Sequence, residues 1–318
     1  MSITFLLLLT TAIPIAAFST PTKKIALITG GNKGIGKEIA RRIGTEPDFT
    51  AIIASRNVEL GRAAANELIA HGEKEGCECD AVALPVPLDL TDAVSISNAF
   101  GYIEKEYGVV DVLVNNAAIC LNDPTLYGKV EYTPFERQAG ITIRTNFFGT
   151  LEVIQSFLPL LKKSSSPRII NVASAAGRLS ILRSQSSIDE FTSEELTIPH
   201  LCNLMNQFVS DVEDGTHTSK GWPNTCYGVS KLGIIALTRI MARQHPDIMV
   251  NSVDPGYCKT DQNDNRGVVD PADGAYTPYL LALMERGGED EEEEEEEGEE
   301  ILSGLHFYEG AEMPWSYQ

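Results

Sequence analysis

Ile25-Ala-Leu-Ile-Thr-Gly-Gly-Asn-Lys-Gly-Ile-Gly36 is the stretch that decides the fold. Its apolar first half has the length of a strand, breaks into Gly30, Gly31, Gly34 and Gly36, and gives way to Ile39, Ala40 and Ile43 at helical spacing. The pattern reads as strand, glycine turn, helix. Glycines allow close approach to the backbone, and the first N–H groups of the helix aim unpaired donors at the turn, which suits a nucleotide phosphate. The spacing, Gly30-x3-Gly34-x-Gly36, is not that of G-x-G-x-x-G.

Downstream, strands and helices alternate. Thr50–Ala54 reads as a second strand ending in Ser55-Arg56-Asn57, with Asn57 as the cap of a helix whose face is Leu60, Ala64 and Leu68. A cation just past a second strand suits a ribose 2′-phosphate, whereas an acidic residue there suits a 2′-hydroxyl. Arg56, with Lys33 in the glycine turn, therefore predicts NADPH over NADH. A third strand, Ala81 to Leu88, delivers Asp89 and Leu90, where Asp89 is placed either to meet an adenine amino group or to cap the next helix. Asp111–Ala118 is a buried strand ending in Asn115, Asn116, Ala117 and Ala118, and its small residues suit a flat ligand. The helix Thr142–Leu161 carries Asn146 among apolar residues, a buried amide that needs partners: a neighbouring strand, or a water in a proton path.

A fifth strand, Arg168–Ala173, ends at Ser174, and a helix from Cys226 to Gln244 follows. Met249–Asp254 is a sixth strand closed by Pro255-Gly256, Pro271–Met284 a final helix, and Gly304–Tyr308 a seventh strand. This alternation predicts an α/β fold with a doubly wound parallel sheet of about seven strands and helices on both faces. The roughly forty-five residues between Gly177 and Trp222 exceed a usual connection and read as a helical insertion, about 178–222. Within it a capping signal lies at Ser193–Leu196, and Leu201, Leu204, Phe208 and Val212 follow at helical spacing.

Tyr227 and Lys231, four residues apart, share one side of their helix. A phenol is a poor acid near neutrality, and a nearby ammonium stabilises its phenolate, so such a pair can exchange a proton at physiological pH. A Tyr-x3-Lys pair alone is also a common surface pair. Its weight comes from Ser174 at the preceding strand end and from Asn146 upstream. Together, Thr29-Gly-Gly-Asn-Lys-Gly-Ile-Gly36, Asn115-Asn-Ala-Ala118, Asn146, Ser174, Tyr227-x3-Lys231 and Pro255-Gly256 resemble, in order, the short-chain dehydrogenase/reductase family over residues 23 to 310. Ala118 departs from that family's N-N-A-G. The long insert, with Gly221-Trp-Pro before Tyr227, resembles the family's NADPH-dependent carbonyl reductase branch.

The resemblance implies a Rossmann-type fold and NADPH-dependent reduction of an aldehyde, ketone or quinone. It implies catalytic roles for Asn146, Ser174, Tyr227 and Lys231: Ser174 and Tyr227 bind the carbonyl oxygen, Tyr227 donates the proton, Lys231 holds the nicotinamide ribose and tunes Tyr227, and Asn146 completes a proton relay. For the cofactor it implies Gly30, Asn32, Lys33, Gly34, Ile35, Gly36, Arg56, Asp89, Leu90, Asn115, Ala117, Tyr227, Lys231, Pro255, Gly256 and Thr260. A dehydrogenase working on a secondary alcohol such as a steroid or terpenoid, and an idle NADPH-binding sensor, are the alternatives. Related enzymes without the insert often pair through the helices it covers, so a monomer is expected.

Of the 318 residues, 45 are acidic and 25 are Lys or Arg, with eleven acidic residues between Glu289 and Glu300. That run reads as a solvated loop, and the lack of a basic stripe argues against a nucleic-acid partner. Six scattered cysteines form no disulfide framework, and Cys77-x-Cys79 lacks a second ligand pair, so free thiols are expected rather than a metal site, with bridges the alternative in an oxidising compartment. Residues 1–22, apolar from Ile3 to Phe18, look like a signal or targeting segment, short for a membrane span. The expectation is the secretory pathway or endoplasmic reticulum, with plastid or cytoplasm as alternatives. Residues 23–318 then form one reductase domain.

Overall fold

The computed structural model describes residues 23–121, 133–284 and 302–315. The N-terminal targeting segment and the acidic run 289–300 lie outside these residues. β1 (Lys24–Thr29), β2 (Phe49–Ala54), β3 (Ala81–Ala83), β4 (Val112–Asn115), β5 (Arg168–Val172), β6 (Met249–Asp254), β7 (His306–Tyr308) and β8 (Ala311–Glu312) form one sheet in the order β3-β2-β1-β4-β5-β6-β7-β8. All neighbours pair in parallel except β7 and β8. The strand order reverses beside β1, where β4 takes the other side, and a crevice opens at the carboxyl ends of these strands.

Alternation along each strand fills two apolar layers. Ile25 and Leu27 join Leu113, Ile169 and Val250 on one face, while Ala26 and Ile28 join Val112, Val114 and Ile170 on the other. The first layer is covered by α3 (Ala93–Glu106), α4 (Phe135–Ile143), α5 (Thr150–Leu161) and α8 (Cys226–Gln244), the second by α1 (Gly34–Gly44) and α2 (Val58–Glu75). Being buried on both faces, the strands read as continuous apolar runs.

Several boundaries differ from expectation for identifiable reasons. The sheet has eight strands rather than about seven, because Glu309 and Gly310 turn the chain back with positive φ and add the short antiparallel β8. β3 stops at Ala83 rather than Leu88: Pro85 and Pro87 lack N–H groups, although Leu84 and Leu88 still donate to Ile53 and Ser55 on the β2 side. The helix expected over Thr142–Leu161 begins at Phe135 and passes through a π-helical segment, Arg144–Gly149, before α5. Hydrophobic spacing does not distinguish such a segment from regular helix. The final helix divides into α9 (Pro271–Gly274) and α10 (Tyr276–Leu283), since Pro278 has no N–H to give the carbonyl of Gly274.

The insertion is helical, as expected, with α6 (Gln185–Thr192) and α7 (Ile198–Glu213). The cap of α7 is Thr197, which accepts from His200 N, rather than a residue at Ser193–Leu196. α7 packs on α4 and α8. Its return is fastened by Asp211, 1% exposed, whose carboxylate accepts from Trp222 Nε1 at 2.9 Å, from Gln207 and from Lys220. Desolvation raises the Asp211 carboxyl, but these three donors outweigh it and hold the pKa below the usual value. Asp211→Ala leaves the buried indole N–H of Trp222 without its acceptor, and the expected cost is about 1–3 kcal/mol, measured by denaturant unfolding.

Candidate active site

A cavity of about 450 Å³ lies at the carboxyl ends of the strands. Gly30 takes φ +66°, which only glycine adopts cheaply, and a Cβ there would press on Ala117 at 3.1 Å. A Cβ on Gly36 would stand 2.4 Å from Asn116 Nδ2 and 2.5 Å from Gly30 O. The turn is thus drawn tightly onto the end of β4, and its backbone is open to the cavity. Asn32, Lys33, Gly34 and Ile35 line the cavity with Gly30 and Gly36.

Thr29 and Asn116 hold this arrangement, and neither was singled out for that task from the sequence. Thr29 Oγ1 accepts from Asn116 N at 3.0 Å and Ala117 N at 3.1 Å, and Asn116 Nδ2 donates to Thr29 O at 2.9 Å. Asn115, expected at the cofactor, points elsewhere: its Nδ2 donates to Asn171 Oδ1, whose own amide donates to Thr238 on α8, both at 2.9 Å. It braces the sheet from within. Of two adjacent amides at a strand end, only one faces the cavity, and the sequence does not say which.

Arg56, Asp89 and Leu90 also line the cavity. Asp89 accepts from Thr91 N at 2.9 Å and Thr91 Oγ1 at 2.7 Å, while α3 is capped by Asp92. Desolvation pushes the Asp89 carboxyl up, yet the Thr91 hydrogen bonds and the charge of Arg56 hold it below the usual value. Lys33 Nζ reaches Asp261 Oδ2 at 3.3 Å. Pro255, Gly256 and Thr260 complete the wall on the β6 side.

Thr225 caps α8 by accepting from Gly228 N at 3.0 Å, which fixes Tyr227 in the first turn. The turn after Ser174 packs directly on this helix: a Cβ on Gly228 would meet Ala176 O at 2.7 Å, and one on Gly177 would meet Leu232 N at 2.6 Å. Ser174, Tyr227 and Lys231 therefore line one stretch of cavity. Lys231 Nζ donates to Val172 O at 2.7 Å and lies 5.5 Å from the Tyr227 ring centroid. Burial lowers its pKa to about 8, against opposing pulls from Cys120 and Asp254.

The chain that builds this cavity is similar to known proteins. A family model described as short chain dehydrogenase matches residues 24–185. Carbonyl reductase (NADPH) 1 of Bos taurus is 37% identical over 272 residues, covering 83% of this chain and 92% of that protein. The chain belongs to the short chain dehydrogenase family. Among solved structures, menthone neomenthol reductase from Mentha piperita superposes with a TM-score of 0.73 at 30% identity, covering 91% of this chain and 99% of the other. Salutaridine reductase from Papaver somniferum gives 0.72 at 27%, covering 82% and 96%.

In this chain Asn146 stands one layer behind the cavity. Its Oδ1 accepts from Ile119 N and its Nδ2 donates to Ile119 O, both at 2.8 Å, and Nδ2 also reaches Ser230 Oγ at 3.1 Å. These contacts tie the helical segment to the backbone that follows β4. All six cysteines are free thiols, and no metal-binding cluster or helix apolar enough to cross a membrane occurs among the described residues.

Proposed function

We propose that the protein is an NADPH-dependent carbonyl reductase acting on aldehydes, ketones or quinones. The observation that carries this reading is the meeting of Ser174, Tyr227 and Lys231 with the glycine turn at one cavity, which Lys33 of that turn and Arg56 also line. The residues fit the dinucleotide: the turn has the close-packed glycines a pyrophosphate needs, and Lys33 and Arg56, which line the same cavity, have the charge that suits a 2′-phosphate. Bound NADPH supplies the hydride, chemistry that belongs to the cofactor.

The protein's own part is orientation and proton supply. Ser174 Oγ and Tyr227 Oη are the donors for a carbonyl oxygen as negative charge develops on it. Tyr227 gives up its proton, and the buried Lys231 ammonium favours the phenolate left behind. Lys231 is aimed by the carbonyl of Val172. Asn146 acts as a positioning residue that fixes the backbone of Ile119, beside the cavity. The test is NADPH consumption with a panel of carbonyl compounds, alongside NADH.

Gly36→Ala forces a methyl group against Gly30 O, so the turn must shift. The expected destabilisation is about 1–3 kcal/mol, with weaker NADPH binding by titration calorimetry; unchanged affinity would remove the turn from the cofactor site. Because α7 covers α4 and α8, the chain is proposed to be a monomer, checked by sedimentation. The N-terminal segment is proposed as an address, checked by mass spectrometry of the native N-terminus.

A further inference from the structure

The loop after β6 lines the cavity and is tied down by its own hydrogen bonds. Thr260 and Asn263 cap one another, Asn263 Nδ2 donates to Cys258 O at 2.8 Å, and Lys259 N donates to Val269 O at 2.9 Å across the loop's base. The loop touches the glycine turn, since a Cβ on Gly34 would stand 3.3 Å from the Thr260 methyl. It thereby presents Asp261 to Lys33. Both side chains of this pair are about two-thirds exposed, at 65% and 69%, so the pair contributes little to stability and exchanges readily. A phosphate arriving at Lys33 therefore competes with a carboxylate for its ammonium. The other cation lining the cavity, Arg56, likewise acts on a carboxylate, that of Asp89.

We propose that Asp261 is a specificity-determining residue for the nucleotide, acting through Lys33 as an internal competitor for phosphate. A carboxylate carries one negative charge, whereas a phosphate monoester carries nearly two at neutral pH and offers more acceptor oxygens. A 2′-phosphate, tethered by the rest of the nucleotide, therefore takes Lys33 from Asp261. A dinucleotide with a free 2′-hydroxyl leaves the pair intact and gains nothing from Lys33. Asp261 also blunts the pull of the cavity on singly charged anions. The inference rests on the reading of Lys33 as a 2′-phosphate cation.

The test is calorimetric titration of NADPH, NADH and adenosine 2′,5′-bisphosphate into the full chain, with Asp261→Asn, Lys33→Gln and the double variant. Asp261→Asn is expected to tighten NADPH and the bisphosphate by about two- to fivefold, the worth of an exposed ion pair, with a smaller change for NADH. The gain should vanish in the Lys33→Gln background and shrink with added salt. Unchanged or weaker NADPH binding by Asp261→Asn, or a gain that persists without Lys33, overturns the competition. If Lys33→Gln keeps the full preference for NADPH, the assignment of Lys33 fails, and the competition with it.

Discussion

Tyr227→Phe is expected to abolish most carbonyl reduction while NADPH still binds. The substitution removes one oxygen from the first turn of α8 and leaves the ring, the Thr225 cap and the buried Lys231 in place. A positioned proton donor accounts for about 10²–10⁴ in rate, and kcat should fall by that amount. NADPH affinity measured by titration calorimetry should change far less. Equal turnover by the variant would show that the proton comes from another group and would leave Tyr227 a wall residue.

Lys231→Met is expected to lose about as much, for a different reason, and to change the pH profile. The ammonium is buried, which lowers its pKa from 10.5 to about 8. Activity that needs the charged form is therefore complete well below pH 8 and declines as the pH rises through it. Stability runs the other way. Between about 8 and 10.5 the unfolded chain holds more protons than the folded one, so the contribution of this site to stability increases with pH across that window. Methionine has no charge to desolvate, although it leaves the carbonyl of Val172 without its donor. The variant should fold, reduce carbonyls roughly 10²–10³-fold more slowly, and lack the alkaline limb near pH 8 in its residual activity. A wild-type profile that is flat to pH 10, or an alkaline limb that survives in the variant, would contradict the role given to the ammonium.

The parts of this fold that were legible in the sequence are those governed by local chemistry. A strand that runs into four glycines and a helix has few other ways to fold, and parallel strands buried on both faces announce themselves as apolar runs. Tyr227 and Lys231 could be paired because the helical repeat puts residues four apart on one side. What the sequence hid depends on direction and on partners distant along the chain. Asn115 and Asn116 are chemically the same, and only the register with β5 sends Asn115 to Asn171 and leaves Asn116 for the glycine turn. Asn146 reads as polar and buried, but its bonds to Ile119 follow from how the helical segment crosses the end of β4. Asp261 lies 228 residues from Lys33 in the chain, beyond the reach of any local pattern. The π-helical stretch at Arg144–Gly149 keeps the apolar spacing of an ordinary helix and left no mark.

The most direct test of the account is NADPH oxidation by the purified protein with quinones, aldehydes and ketones, each run in parallel with NADH. The account predicts turnover of at least one carbonyl class with NADPH, much slower turnover with NADH, and formation of the matching alcohol or hydroquinone. Turnover that prefers NADH, or NADPH binding with no carbonyl reduced across the panel, would contradict it.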